Sequence, residues 1–265
     1  MLVIECAKLI RISMRFALIK DMRVEATPNG KAICPGCTQQ VVAKCGSKRI
    51  HHWAHQSNKN CDKWWEAETE WHRNWKKEFP LNWQEIIMRD EITGELHIAD
   101  VRTDNNIIIE FQHSHIDTKE QASRESFYTN LIWVVDGTRL KNDFKRFQKG
   151  KYYFSSLMPQ VFRTSFSYEI FPSNWIYRPV AVIFDFGRIE TPKKSRHTKL
   201  YCLFPQRLNN EFIVAEISRE AFIVSITKGN WLQRFENFIN KIKAIEIAER
   251  ETFAALELIA SRNNR

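Results

Sequence analysis

His97-Ile98-Ala99-Asp100-Val101 and Ile107-Ile108-Ile109-Glu110-Phe111-Gln112 are two apolar, strand-like runs, each carrying one carboxylate among its apolar residues. Between them, Thr103-Asp104-Asn105-Asn106 is rich in turn formers and predicts a β-hairpin. Centring that hairpin on Asn105 sets Asp100 directly opposite Glu110, with Cβ atoms roughly 5 Å apart on one face. Like charges in that position destabilise a sheet unless something positive lies between them. Mg²⁺ or Mn²⁺ meets the need, because such cations prefer hard carboxylate oxygens. Period-two alternation puts Gln112 on the same face as Glu110. An idle charge among apolar strand residues is costly, which weighs against a hairpin that merely faces water.

Working outward, Trp64 to Phe79 has helical spacing that gathers Trp64, Trp71, Trp75 and Phe79 on one face. Glu66, Glu70, Arg73 and Lys77 fall on a solvated face, and Glu68 and His72 sit at the edge of the aromatic stripe. Pro80 stops this helix. A strand follows over Glu85–Arg89, then a turn at Thr93-Gly94, the hairpin, and a helix from about Thr118 to Thr129. Leu131-Ile132-Trp133-Val134-Val135 reads as a buried strand, parallel to its neighbour because a helix crosses over between them. Helix, three strands, helix, strand is an α/β core with both faces covered. Three zones result: 1–62 with a small zinc-ribbon-like module, 63–150 with the α/β core, and 151–265 as an α+β region.

In this core Asp100 and Glu110 are placed to hold Mg²⁺ or Mn²⁺, which would polarise a phosphodiester and activate a water. Gln112 would orient that water or the phosphate; being neutral, it is no general base. Glu68 would add a ligand and His72 a phosphate or proton contact from the preceding helix. Arg124 and Tyr128 lie i,i+4 on the following helix, either on a DNA phosphate or as a structural ion pair and a core tyrosine.

The chain has 265 residues, with Lys+Arg 40 against Asp+Glu 31 and a net charge of +9. That surplus suits a polyanion such as DNA. The first twenty residues are apolar but broken by Lys8, Arg11, Arg15 and Lys20, which predicts neither a membrane span nor a signal peptide core. A cytoplasmic location follows, in which cysteines are thiols or metal ligands. Translation could start at Met1 or at Met14. Cys34-Pro35-Gly36-Cys37 forms a knuckle suited to tetrahedral Zn²⁺. Cys34, Cys37, His55 and Cys61 are the preferred ligands, with His52 the alternate. Four protein ligands leave no place for water, so the zinc is structural.

Cys34-Pro35-Gly36-Cys37, His52-Trp53-Ala54-His55, Glu68-Thr69-Glu70-Trp71-His72, Ala99-Asp100 and Glu110-Phe111-Gln112-His113-Ser114-His115-Ile116 together resemble the competence protein CoiA family. Arg124-Glu125-Ser126-Phe127-Tyr128 and Ile132-Trp133-Val134 fit the same order. Asp100 followed by Glu110-x-Gln112 is similar to the two-strand core of PD-(D/E)xK nucleases, with Gln in the place of Lys. The resemblance implies a bacterial protein with a restriction-endonuclease-like core, a mixed sheet flanked by helices, behind a zinc-finger-like module. It implies active-site roles for Glu68, Asp100, Glu110 and Gln112, and work in DNA uptake and recombination, repair or antiphage defence. The function expected is a metal-dependent DNA nuclease; the alternative is a DNA-binding recombination accessory protein with little or no cleavage.

In the last third, 180–184, 212–215 and 222–226 read as strands. The basic loop holding Lys193, Lys194 and Arg196 is either a DNA backbone contact or a solvated loop. From Trp231 to about Ala260 the pattern is an amphipathic helix, packed on the body of the protein, on a protein partner or on a second copy.

Overall fold

A computed structural model describes residues 13–56, 64, 68–187 and 199–263. Cys61, Lys193, Lys194 and Arg196 lie outside the described residues. The fold is mixed α/β and divides into two compact units, Met1–Thr129 and Asn130–Arg265.

The first unit opens with an antiparallel sheet of β1 (Ser13–Met14), β2 (Phe16–Ile19), β3 (Met22–Glu25), β4 (Lys31–Ile33), β5 (Gln40–Lys44) and β6 (His52–His55), in the order β1-β6-β5-β4-β2-β3. Lys20 and Asp21 both take positive φ between β2 and β3, as a two-residue hairpin turn requires. Met14, Ala17, Ala32, Cys34, Val41 and Trp53 form its small core. Trp53 donates its indole N–H to the Val24 carbonyl at 2.9 Å.

Helix α1 (Glu70–Lys76) follows, then β7 (Gln84–Arg89), β8 (Leu96–Arg102), β9 (Ile108–Gln112) and α2 (Thr118–Phe127). β7, β8 and β9 make an antiparallel meander. β8 and β9 pair Val101 with Ile109 and Arg102 with Ile108, the register centred on Asn105. The hairpin closes through Thr103 N–H to the Ile107 carbonyl at 3.0 Å and Asn106 N–H to the Thr103 carbonyl at 2.9 Å. Asn106 takes φ +57, where asparagine is better tolerated than most residues.

Helix α1 is shorter than its aromatic spacing predicts. Thr69 is its N-cap: the Thr69 hydroxyl accepts from His72 N–H, and the His72 ring receives the Thr69 N–H in a reciprocal capping box. The chain therefore enters the helix after Glu68, and Glu68 and His72 are not partners on one helical face.

The second unit holds β10 (Leu131–Asp136), α3 (Lys141–Gly150), β11 (Ser155–Met158), β12 (Val161–Thr164), α4 (Ser167–Ile170), β13 (Ala181–Asp185), β14 (Lys199–Leu208), β15 (Glu211–Ser218), α5 (Arg219–Thr227) and α6 (Trp231–Asn263). β10 is buried throughout and runs parallel to β13. β13, β14, β15, β12 and β11 continue antiparallel in that order. Phe147 of α3 stacks on Phe186 with centroids 4.0 Å apart, and Phe204 packs against Phe235 and Phe238 of α6. Residues 222–226, expected as a strand, lie in α5. A short apolar run carries no decisive period, and here the Ser218 side chain caps the Ala221 N–H at 3.0 Å and starts a helix. No helix among the described residues is long and apolar enough to cross a membrane.

The turn makes a direct test of the hairpin. Asn106→Val forces a β-branched residue into the left-handed region and is expected to cost about 1–2 kcal/mol, read as a lower urea midpoint, with Asn106→Gly close to wild type.

Candidate functional site

At Asp100 and Glu110 the ladder between β8 and β9 stops using backbone carbonyls. The Asp100 carboxylate takes the Phe111 N–H at 2.9 Å, and Glu110 Oε1 lies 3.4 Å from the Asp100 nitrogen. Each strand's acid thus holds an amide of the other strand, and the two carboxylates meet at the end of the regular pairing. Asp100 also stands between two acids by register, because continuing the β7–β8 pairing of Gln84 with Val101 and Ile86 with Ala99 sets it opposite Glu85. Glu85 takes φ +49 within its strand, a left-handed conformation that is costly for a non-glycine residue and changes the direction of the side chain.

The positive charge is supplied by Lys76, buried at the end of α1. Its ammonium lies 2.7 Å from Glu68 Oε1, 2.8 Å from Glu85 Oε1 and 3.6 Å from Asp100 Oδ1. Burial opposes its charge, but the carboxylates of Glu85, Asp100 and Glu68 hold the pKa well above the lysine range. Arg73 pairs with Glu68 from the same helix, with Nε 3.0 Å from Oε2. Burial pushes the Glu68 carboxyl up, and Lys76 and Arg73 more than offset it, leaving the pKa at about 2. Asp100 is the most open of the four acids, its side chain 22% exposed against 4% for Glu110.

The second cluster lies in the six-stranded sheet. Cys34, Cys37 and His55 bring one ligand atom each to within 4.8 Å of one another, the one group among the described residues to gather three such atoms. Cys37 Sγ is 3.1 Å from His55 Nε2. The knuckle is formed by Cys34 N–H on the Gln39 carbonyl, Thr38 N–H on the Cys34 carbonyl, and Gly36 N–H on Cys34 Sγ at 3.4 Å. A backbone donor on sulfur favours the thiolate that a soft cation binds. Two sulfurs and an imidazole could hold zinc. His52 is directed elsewhere, its Nδ1 2.8 Å from the Ile50 carbonyl.

Residues 20–63 match the family model of the competence protein CoiA, N-terminal domain. Over this segment the chain is similar to CoiA. The matched segment contains the cysteine knuckle and β3 to β6, and stops short of Glu68, Asp100 and Glu110. No curated protein and no solved structure matches the chain.

The remaining expected site residues lie beyond the matched segment. Gln112 is buried, with Nε2 3.3 Å from the Ser114 carbonyl and 3.4 Å from its hydroxyl. His72 is buried in the Thr69 cap, its Nδ1 2.9 Å from the Thr69 hydroxyl. Arg124 is turned inward. Its Nη1 lies 2.7 Å from Glu110 Oε2, its Nε 3.1 Å from Glu120, and its Nη2 on the Trp64 carbonyl. Burial opposes its charge, and Glu110 and Glu120 raise its pKa in compensation. Tyr128 is buried against Trp64 and Phe127. Both placements suit an ion pair and a core aromatic rather than an exposed phosphate contact.

Lys76 and Glu85 are the members of the site that the sequence reading missed. Lys76 falls three residues after Arg73 and next to Lys77, and nothing in that run distinguishes a buried lysine from its solvated neighbours. A signal did exist at Glu85, a carboxylate beginning an apolar run as Asp100 and Glu110 do.

Two predictions follow from these clusters. A carboxylate held at about 2, against an ordinary 4.5, adds stability above pH 4.5 that is lost as pH falls toward 2. Glu68→Gln is therefore expected to flatten the pH dependence of the urea midpoint in that window; a wild-type slope would refute the pairing. The purified chain is expected to carry about one zinc ion, measured by atomic emission. Cys34→Ser and His55→Ala should each lower both the metal content and the melting temperature.

Proposed function

We propose that the residues around Asp100 form the active site of a metal-dependent DNA nuclease with a restriction-endonuclease-like core. The observation that carries this reading is the end of the β8–β9 ladder, where two carboxylates face each other across the register and one of them, Asp100, is the most open acid of the cluster. The order α1, three antiparallel strands, α2, β10 supports it. The donors are hard oxygens, the chemistry that suits Mg²⁺ or Mn²⁺. Asp100 Oδ1, beyond hydrogen-bond distance of Lys76, and Glu110 would hold the ion; Glu68, expected as a further ligand, is held by Lys76 and Arg73 and does not gather with these two into a three-ligand cluster. When bound, it supplies a Lewis acid for the phosphodiester and a water of lowered pKa.

The protein's own groups do the positioning. The Phe111 amide holds Asp100, and the Arg124 guanidinium holds Glu110 in its rotamer while allowing it to stay ionised in the interior. Gln112, neutral and held by Ser114, can orient a phosphate oxygen or water without taking a proton. Lys76 brings the positive charge that position 112 lacks, from helix α1 instead of from β9. The CoiA-like N-terminal segment links the chain to competence, and processing of DNA during uptake, recombination, repair or defence fits such an enzyme.

One observation favours the alternative, a DNA-binding accessory protein with little cleavage. Lys76 and Arg124 already neutralise much of the acidic cluster, so it is stable without a metal.

Cleavage of single-stranded, duplex and branched DNA, with Mg²⁺ or Mn²⁺ and with chelator, separates the two. Asp100→Asn and Glu110→Gln, which keep the side-chain shape, are expected to slow metal-dependent cutting on the order of a hundred-fold or more, about 3 kcal/mol of barrier. Cutting that survives both variants would overturn the site, and DNA binding without any cutting would establish the accessory role.

A further inference from the structure

The unit spanning Asn130–Arg265 carries a cavity that the hydrolytic reading does not use. Arg207, on β14, has its guanidinium carbon 4.1 Å from the ring centroid of Tyr177 and 4.1 Å from that of Phe212. Its Nη2 is shut away from water and has no hydrogen-bond partner. A charged donor left in that state is costly, and the two ring faces recover only part of the loss. Together with Trp175, Arg178 and Phe204, these side chains line a half-open cavity of about 250 Å³.

Tyr177 adds a second, independent observation. Its backbone stands at φ +63, strained for an aromatic residue, and the residue is 53% exposed. Its ring covers Arg207 and meets the Phe212 ring edge-on, with centroids 5.2 Å apart. Tyr168, 57% exposed, lies 5.8 Å beyond it and extends the aromatic surface outward.

A ligand for this place must be flat, to lie on aromatic faces, and must bring an acceptor for a half-buried guanidinium whose Nη2 has no partner. A nucleobase with its carbonyl edge or its phosphate meets both needs, and stacking on rings is how single strands are held without sequence preference. The cavity admits one base. A duplex keeps its bases stacked inside, so only an unpaired strand can offer one.

We propose that the Tyr177–Arg207–Phe212 cavity is a nucleobase-binding site for single-stranded nucleic acid. Arg207 donates to the base edge or adjoining phosphate, and Tyr177 stacks on the base. This rests on the proposed function only in taking nucleic acid as the substrate; the residues belong to a different unit from the carboxylates.

The test uses the full chain in chelator, so that nothing is cut. Binding of a labelled oligothymidylate of about fifteen nucleotides, long enough to span a typical single-strand site, is followed by fluorescence anisotropy beside a duplex of mixed sequence. Tyr177→Asn removes the ring while tolerating the left-handed backbone, and Arg207→Lys keeps the charge but loses the planar fork. Each is expected to weaken single-strand binding roughly five- to a hundred-fold, with duplex binding changed much less. Melting curves identify the folded variants, and either one suffices for the comparison. Unchanged single-strand affinity in a folded variant overturns the inference. If the wild type cuts DNA and the variants bind single strands as it does, this inference alone fails. If the wild type neither binds nor cuts nucleic acid, the proposed function fails with it.

Discussion

A buried ammonium must be surrounded by negative charge, and in this chain that requirement organises the first unit. Lys76 is one residue at the end of a short helix, yet its three carboxylate neighbours come from the segment before α1, from β7 and from β8. Removing the ammonium would leave Glu68 and Glu85 as poorly compensated interior charges, a far larger loss than that of an exposed ion pair. The left-handed backbone at Glu85 belongs to the same arrangement: it is tolerated because that carboxylate has both Lys76 and the Arg15 amide to hold.

Arg124 does for Glu110 what Lys76 does for the other acids, and the division matters chemically. Glu110 is nearly enclosed and paired at short distance, whereas Asp100 faces the ammonium across 3.6 Å and is partly open. The cluster therefore has one fixed acid and one available acid side by side. That asymmetry is a more informative description than a count of carboxylates, because it indicates which oxygen a ligand reaches first.

The hairpin was legible because its turn, register and alternation are all local: Asn105 at the centre fixes every pairing from Arg102 to Asp100. The cysteine knuckle was legible for the same reason, its spacing and its Pro-Gly turn lying within four residues. Helix α1 was misjudged at its start, since the aromatic spacing continues through Thr69 while the capping box does not. The strand expected at 222–226 became α5, where the decisive residue was Ser218, outside the apolar run. Lys76 could not be read at all, because its burial follows from the convergence of three separate segments. Tyr177 and Arg207 were equally silent, thirty residues apart and joined only by folding.

The exchange of amides between β8 and β9 gives the acids a second duty. Asp100 is at once a candidate ligand and the acceptor that finishes a sheet, so a change there disturbs architecture and chemistry together. Substitutions that preserve an acceptor can drift in charge while the strands stay joined; those that remove it open the hairpin at the end away from its turn. A loss of charge at position 100 is thus accommodated more easily by asparagine than by alanine. Loss of charge and loss of fold follow different routes from the same residue.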